Sequence, residues 1–554
     1  MIPEDPPRIY SRRQGNGTPQ GRRSIDSRRI RMTQEKGLST FSRRTFLGLG
    51  ASAALLAGAG LAGCAPKGKT GTASGNGSDE NTSWAKEADV VICGLGGAGV
   101  AAAVEAAEAG ASVIVLEMAG EGGGATKMSG GLAYFGGGTR LQKACGIEDS
   151  LDNYKAYMKA VSNPSGGNEQ LVDLYCEESA STFDWLEAHG VPFDDAADTQ
   201  GHVVTAPKGI SLTYSGNERG WEYVAVATPA PRGHSPRQDG EEHSAATLFD
   251  PLLTAAEKAG AEIIYNAEAT SLIVDGSGRV VGVRATIDNE ESAIRGLKGV
   301  ILTTGAFTMN DEMLADFCHE GLAAGARTAH PNDTGSGIKM GMAIGAGLRS
   351  MGRASIQHFV YMYGHGAASG MLVDKRGVRF IDEGSYGGWI GKAIYERTPE
   401  AAWLIMDSNM IADVDPAFKD MLDISSQADS IEDLARVIDI EPATLAATAA
   451  RYNGFAQSQN DDDFHKATEY LKPLSAPPFY AANFEVSKCG FHTLGGLKIN
   501  EKSQVVGNDG KVLPGLYSAG RNACAIFGNY PGSGSSIGEC LVFGRIAGKN
   551  AAAE

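Results

Sequence analysis

The chain has 554 residues, 42% hydrophobic and 21% charged, which is long enough for two or more domains each with a core of its own. Its formal net charge is −17, and because residues 1–46 hold 11 Lys/Arg against 4 Asp/Glu, the rest of the chain stands at −24, which argues against nucleic acid as a partner. Eight cysteines without a CxxC or CxxCH spacing argue against a disulfide scaffold, an iron–sulfur cluster and covalent haem, and the dispersed histidines offer no metal-ligand spacing, so no metal is expected.

The basic N-terminal stretch ends in Ser42-Arg43-Arg44-Thr45-Phe46-Leu47, and a Gly- and Ala-rich apolar run from Phe46 to Gly63 follows. Basic residues, a modest apolar core and small residues before a cleavage point form a secretory signal, and the paired arginines specify the twin-arginine route, which carries folded proteins. Leu61-Ala62-Gly63-Cys64 resembles a bacterial lipoprotein box, implying a lipid on Cys64 and an extracytoplasmic protein held at the cell membrane. An apolar run of 18 residues would also serve as a transmembrane anchor, although its glycines disfavour that. Met32 is an alternative start, since residues 1–31 look like neither signal nor domain. Residues 1–63 are therefore expected to be signal, and 64–85, rich in Gly, Ser, Lys and Thr, a flexible linker.

The stretch Ala88–Glu117 organises the remainder. Val90-Val-Ile-Cys93 reads as a buried parallel strand running into Gly94-x-Gly96-x-x-Gly99, an Ala-rich helix and a second strand ending at Glu117. Gly94 permits the turn, Gly96 lets backbone approach a pyrophosphate, Gly99 lets helix pack on strand, and Gly97 and Ala98 open the helix whose N–H groups bind anionic oxygens. Glu117, 18 residues after Gly99 and followed by Met118, stands where a carboxylate accepts hydrogen bonds from a ribose diol. This motif alone does not choose between NAD and FAD.

A second glycine-and-hydroxyl loop, Glu121 to Gly131, comes next. It resembles the second flavin-contacting loop of the fumarate reductase and 3-ketosteroid dehydrogenase flavoprotein family, which implies FAD and places Gly123, Gly124, Ala125, Thr126, Ser129, Gly130 and Gly131 against it. Helices at Ser150–Val161, Asn168–His189 and Ala246–Ala259 are expected, then a strand Glu262–Asn266 and a hairpin, Ala269–Val274 with Val280–Thr286, across the turn Asp275-Gly-Ser-Gly278. The strand Gly299–Phe307 returns to the first sheet and resembles the family's return strand, with Gly305 at the flavin. Composition changes near His330, where Pro331 to Ala343 begins a helix. The expected layout is a Rossmann-like α/β FAD-binding domain in two parts, 86–330 and 489–554, with an inserted α+β cap domain at 331–488. In the second part, Gly515-Leu-Tyr-Ser-Ala-Gly520 is a strand and a helix runs from about Ser535 to Ala552. The resemblance puts Gly520, Ser535, Ser536 and Ile537 at the flavin, with the N-terminus of that helix facing its pyrimidine ring, where a helix dipole of about half a unit charge favours negative charge.

The resemblance implies hydride transfer at flavin N5, and the chain must supply an acid or base and a group that polarises the acceptor. Fumarate reductases use arginines for both. Here the turn Arg379-Phe380-x-x-Glu383 is followed by Gly384-Ser385-Tyr386-Gly387 in place of the reductases' Thr-Thr-Arg, and Asn529-Tyr530-Pro531-Gly532-Ser533-Gly534-Ser535 stands in place of Asn-Arg-Leu-Gly-Gly-Asn. Tyr-Pro-Gly-x-Gly resembles the 3-ketosteroid dehydrogenases, which implies that the Tyr530 hydroxyl and the Gly534 N–H hold a ketone oxygen and stabilise an enolate. Tyr386 matches their tyrosine acid/base, one residue early. His492-Thr493-Leu494-Gly495-Gly496 instead resembles the reductases' His-Thr-Met-Gly-Gly, whose histidine binds a carboxylate; His492 would bind a carboxylate or a carbonyl, or stand structurally near the flavin. Gln357-His358 resembles a reductase pair or marks a strand edge, and Asp461-Asp-Asp463 reads as solvated surface.

The function expected is an exported FAD oxidoreductase acting on a CH–CH bond beside a carbonyl, an enone or ketosteroid being the substrate and a separate membrane, cytochrome or quinol-linked donor supplying electrons. Alternatives are a reductase of an unsaturated carboxylate of the fumarate, urocanate or cinnamate type, and a non-catalytic FAD-containing lipoprotein.

Overall fold

The computed structural model describes residues 82–162, 168–202, 206–238 and 245–554; the expected signal, the twin arginines and Cys64 lie outside them. Strand β1 (Lys86–Cys93) enters the core with Val90 to Cys93 fully buried, and passes through the glycine turn into α1 (Gly97–Glu108) and β2 (Val113–Leu116). A strand segment buried on both faces must be apolar, and Val90–Cys93 of β1 and the whole of β2 are, while Lys86, Glu87 and Asp89 sit at the outer end of β1. β3 (Glu262–Ile264), β4 (Ala267–Val274), β5 (Val280–Ile287) and β6 (Glu290–Leu302) follow after several helices, the β4–β5 hairpin closing on Asp275 and Gly278 as expected. β6 differs from expectation. It begins at Glu290 rather than Gly299, because its first half pairs antiparallel with β5, and it ends at Leu302, because the left-handed Gly305 (φ +81°) turns the chain away.

Further along come β7 (Ala354–Gln357), β8 (Met371–Asp374), α2 (Gly387–Arg397), β9 (Ala402–Asp407), β10 (Ile424–Ala428), β11 (Phe479–Asn483) and β12 (Gly490–Thr493). Strands β8, β9, β11 and β10 form a separate antiparallel sheet, while β7 pairs with β12. β13 (Gln504–Val506) and β14 (Val512–Ser518) complete the first sheet, whose order is β13-β14-β6-β1-β2-β3, and the helix α3 (Ser535–Ala553) follows. β14 thus lies beside β6 although some two hundred residues separate them in the chain.

Helix α3 packs on α1 at backbone contact. A Cβ at Gly544 would stand 2.5 Å from the Ala98 carbonyl oxygen and one at Gly548 2.3 Å from that of Ala102, so this approach requires glycine. The contact brings the starts of both helices to the ends of β1, β6 and β14. That is where open parallel sheets bind ligands.

The turn between β8 and α2 is held by a buried charge cluster. Arg379 grips Glu383 through Nε (2.9 Å) and Nη2 (2.8 Å) and reaches Asp461 through Nη1 (2.7 Å), while Lys466 Nζ stands 3.1 Å from Glu383. Asp461 is therefore no surface residue: only Asp462 and Asp463 of that acidic run are exposed, because Arg379 needs a second anion once it is buried. Neighbouring cations and the Leu372 N–H overcome burial and hold the Glu383 carboxyl down at about 2.

Candidate active site

A cleft enclosing about 1640 Å³ of empty space open to solvent runs from the end of β2, past the start of α1, to the start of α3. Its first half is built by the glycine loops. The Gly94 N–H donates to the Leu116 carbonyl (2.8 Å), and Thr303 Oγ1 ties the Cys93 and Gly94 carbonyls at 2.9 and 2.8 Å. A Cβ on Gly99 would stand 2.0 Å from the Gly94 oxygen, which is the packing role expected of that glycine. Gly96 is different: its Cβ would meet nothing nearer than the Gly123 oxygen at 4.0 Å, so the space above it is open. No side chain caps α1 and its first turn holds no acid. An open surface over an uncapped helix start fits a pyrophosphate.

The second loop closes on the first. Thr126 Oγ1 accepts the Gly97 N–H (3.0 Å), the Gly123 N–H donates to the Leu95 carbonyl (2.8 Å), and Ser129 Oγ accepts the Gly131 N–H (3.1 Å). Glu117, nearly buried, accepts the Leu95 N–H on Oε2 (2.7 Å) and the Ala119 N–H on Oε1 (2.8 Å). Each carboxylate oxygen retains a lone pair, so the group is fixed in place and still able to receive a diol.

The second half of the cleft carries the polar groups of the start of α3. Gly534, left-handed at φ +94°, is the N-cap of a helix with no side-chain cap, and its N–H donates to no acceptor among the described residues. Two residues into α3, the Ser536 N–H donates to the Tyr530 hydroxyl at 3.3 Å. That bond occupies the phenol oxygen and leaves its proton to donate elsewhere, while burial keeps the phenol above its usual range and therefore neutral. His492 meets Tyr530 edge-on at 4.8 Å. Burial, with the Arg521 cation nearby, drives the His492 imidazolium pKa well below normal, and its Nε2 is buried with no partner among the described residues, as is the Ser535 hydroxyl. Orphaned polar atoms around an open cleft imply a ligand that satisfies them.

Of the residues expected at the cofactor, Gly94, Gly96, Gly97, Ala98, Glu117, Met118, Gly124, Ala125, Thr126, Ser129, Gly130, Gly305, Gly520, Ser536 and Ile537 line the cleft, together with His492, Tyr530 and Gly534. Gly99, Gly123, Gly131 and Ser535 do not; they shape the turns behind it. Tyr386 is fully buried outside the lining, packed on Phe359 (5.7 Å), with its backbone N–H on Asn217 Oδ1 (2.7 Å). Its hydroxyl reaches the cleft through Ser533, whose Oγ donates to it at 3.4 Å. Gln357 lines the cleft, whereas its neighbour His358 stacks on Phe484 at 3.9 Å away from it.

Among the lining residues missed from the sequence are Asp333, Arg521 and Ser533. Arg521 Nη2 donates to Asp333 Oδ2 (2.9 Å), and the Asp333 carboxylate also takes the N–H groups of Ala306 (3.1 Å) and His330 (3.2 Å). A cation directly after a strand that ends on glycine, and an acid in the Pro331-Asn-Asp-Thr turn, were the available signals. Ser533 occupied the unassigned position of Tyr-Pro-Gly-x-Gly.

Among known families, that of the FAD binding domain matches residues 89–537. A 3-ketosteroid-Δ4-(5α)-dehydrogenase from Rhodococcus jostii RHA1, solved with 4-androstene-3,17-dione, superposes with a TM-score of 0.81 at 36% identity, covering 86% of this chain and 99% of that one. The digoxin reductase of Eggerthella lenta is 29% identical over 94% of this chain and 98% of its own length. The NADH:fumarate oxidoreductase of Klebsiella pneumoniae (strain 342) is 28% identical over 85% of this chain, which spans about half (48%) of that longer protein.

Proposed function

The chain belongs to the FAD binding domain family and is a FAD-dependent oxidoreductase acting on CH–CH bonds, and from that premise we propose that its substrate is a bulky enone of the 3-ketosteroid kind. When bound, FAD supplies hydride chemistry at its N5. The observation that carries the substrate reading is the Tyr530 hydroxyl, fixed by the Ser536 N–H beside the unspent Gly534 N–H. Two neutral donors at a helix start suit one ketone oxygen, and they strengthen as it gains enolate charge.

Residues 94–98, Glu117 and several of 124–130 would hold and orient the adenosine diphosphate part of the cofactor, with Gly99 shaping the turn behind them. Tyr530 and Gly534 hold the ketone. Ser533 and Tyr386 form a two-hydroxyl path. When both hydroxyls rotate so that the phenol donates to the Ser533 oxygen, Ser533 passes its own proton to the α-carbon, and the reverse sense withdraws one. Tyr386 stays protonated until needed because burial and the neighbouring Tyr530 raise its pKa far above normal. The one arginine in the cleft lining, Arg521, is tied to Asp333, and no lysine lines the cleft. A guanidinium already paired makes a poor clamp for a dicarboxylate.

Export by the twin-arginine route, a lipid on Cys64 and a quinol- or cytochrome-linked donor favour the reductive direction. One observation favours a second reading, an unsaturated-acid reductase: the orphaned His492 Nε2 offers a partner for a carboxylate. Steady-state reduction with a viologen donor separates the two. Turnover of 3-keto-4-ene steroids but not of fumarate, urocanate or cinnamate is expected; turnover of the acids alone would end the enone reading.

A further inference from the structure

Tyr530 and Gly534 fix one end of the substrate, and the protein continues beyond it along α2. Tyr386 is the N-cap of that helix, and Trp389 and Lys392 follow at three-residue steps, a spacing that stacks side chains along one helix face. Trp389 packs with Tyr530 against the Phe359–Tyr386 pair. Lys392 Nζ lies 5.7 Å from the Trp389 ring centre and donates to Asn529 Oδ1 at 2.7 Å, Asn529 being the chain neighbour of Tyr530. On its other side the Asn529 N–H donates to the Ser162 carbonyl at 3.1 Å.

The groups gathered round Asn529 present unspent hydrogens. Ser162 is fully buried and its hydroxyl has no partner among the described residues; nor has Trp389 Nε1. The Lys392 ammonium offers three hydrogens, of which Asn529 takes one, and its nearest carboxylate, Glu396, stands off at 3.8 Å. Partial burial works against the charge on Lys392, with Glu396 supporting it. A buried donor left unpaired costs on the order of 1–3 kcal/mol, and with the Trp389 ring beside Lys392 and Ser162 on the far side of Asn529, an acceptor that arrives with the ligand would relieve both orphans. An anionic oxygen group meets all of them.

We propose that Lys392, Trp389 Nε1 and the Ser162 hydroxyl form a subsite for a carboxylate carried by the substrate at the end remote from its enone. This deepens the enone reading and rests on it. The substrate class is then a polycyclic enone acid: the neutral ketone goes to Tyr530 and Gly534, the acid to Lys392.

The test uses the full-length holoprotein with a viologen donor and a matched pair of probes, 3-oxoandrost-4-ene-17β-carboxylic acid and its methyl ester. The acid is expected to exceed the ester in kcat/KM by about tenfold or more, as a charge-assisted hydrogen bond supplies. In Lys392→Met the ratio falls to about one, in Lys392→Arg most of it returns, and in Trp389→Phe, which keeps the ring and loses the N–H, it falls severalfold. Because the ratio is read within one preparation, partial loss of folded enzyme cancels. Equal turnover of acid and ester by the native protein, or a ratio that survives Lys392→Met, would overturn the subsite while leaving the enone reading intact. Turnover of neither, with cinnamate or fumarate reduced instead, would remove the enone reading and the subsite together.

Discussion

At the scale of single residues the account rests on two side chains with opposite duties, Tyr530, partly buried at the cleft, and His358, buried away from it. In the proposed reading the Tyr530 hydroxyl donates a hydrogen bond to the ketone, so Tyr530→Phe should retain flavin, which the glycine loops would mainly hold, and lose about 100- to 1,000-fold in kcat on an enone, the range for one oxyanion donor. Steady-state kinetics with the flavin content measured alongside checks it; an unchanged kcat would remove Tyr530 from the chemistry. His358 has no such role: it is buried, stacked on Phe484, and burial lowers its pKa from 6.5 to about 4. The unfolded chain therefore binds a proton below pH 6.5 that the folded protein refuses until about 4, and stability falls as pH drops through that interval, by about 3 kcal/mol for a shift of this size. Urea midpoints of His358→Phe between pH 7 and 4 should show a shallower acid loss than the native protein. The sequence brought Tyr530 and Gly534 to notice because an unusual tyrosine-proline-glycine cluster precedes a helix. It left Gln357-His358 undecided because neighbours in a strand end point opposite ways, one into the cleft and one into the core.

At the scale of elements, the start of α3 is the piece on which the chemistry hangs, and Glu539 secures it. This fully buried carboxyl, one turn into α3, accepts the Ala525 N–H on Oε1 (2.9 Å) and thereby pins the loop leading to Tyr530. Burial raises its pKa from 4.5 to about 8, so the folded protein keeps a proton that the unfolded chain loses, and stability declines as pH rises from 4.5 to 8. Glu539→Gln keeps the acceptor and cannot ionise. It should flatten that decline, making the variant more stable than the native protein at pH 9 with the gap closing toward pH 4.5, as thermal melts would record; parallel curves would refute it. The pairing of β1, α1 and β2 was legible from the glycine spacing and the apolar runs. The true length of β6 was not, since its first half is specified by pairing with β5 and only the second half has the buried-strand pattern. The burial of Asp461 was equally hidden, because its partner Arg379 lies 82 positions earlier in the chain.

At the scale of the whole molecule, the sheet order brings segments far apart in sequence to one cleft: the glycine loops near residue 96, the turn at Asp333, β12 with His492, and the start of α3. That convergence could be expected only through the family resemblance, since local pattern fixes elements and leaves their meeting points open. Among the described residues no helix is long and apolar enough to cross a membrane. The lipid proposed on Cys64 makes its own prediction: Cys64→Ser should move the protein from the membrane fraction to the soluble one after export, as fractionation and blotting would show; continued membrane retention would point to an anchor of another kind. The central claim is that two neutral donors at the start of α3 select a ketone. It is tested most directly by reducing the purified flavoprotein without oxygen, mixing it with 4-androstene-3,17-dione or with fumarate, urocanate and cinnamate, and following flavin absorbance near the usual band at about 450 nm. The account predicts rapid reoxidation by the steroid, slowed by Tyr530→Phe, and none by the acids; reoxidation by the acids alone would contradict it and hand the site to His492.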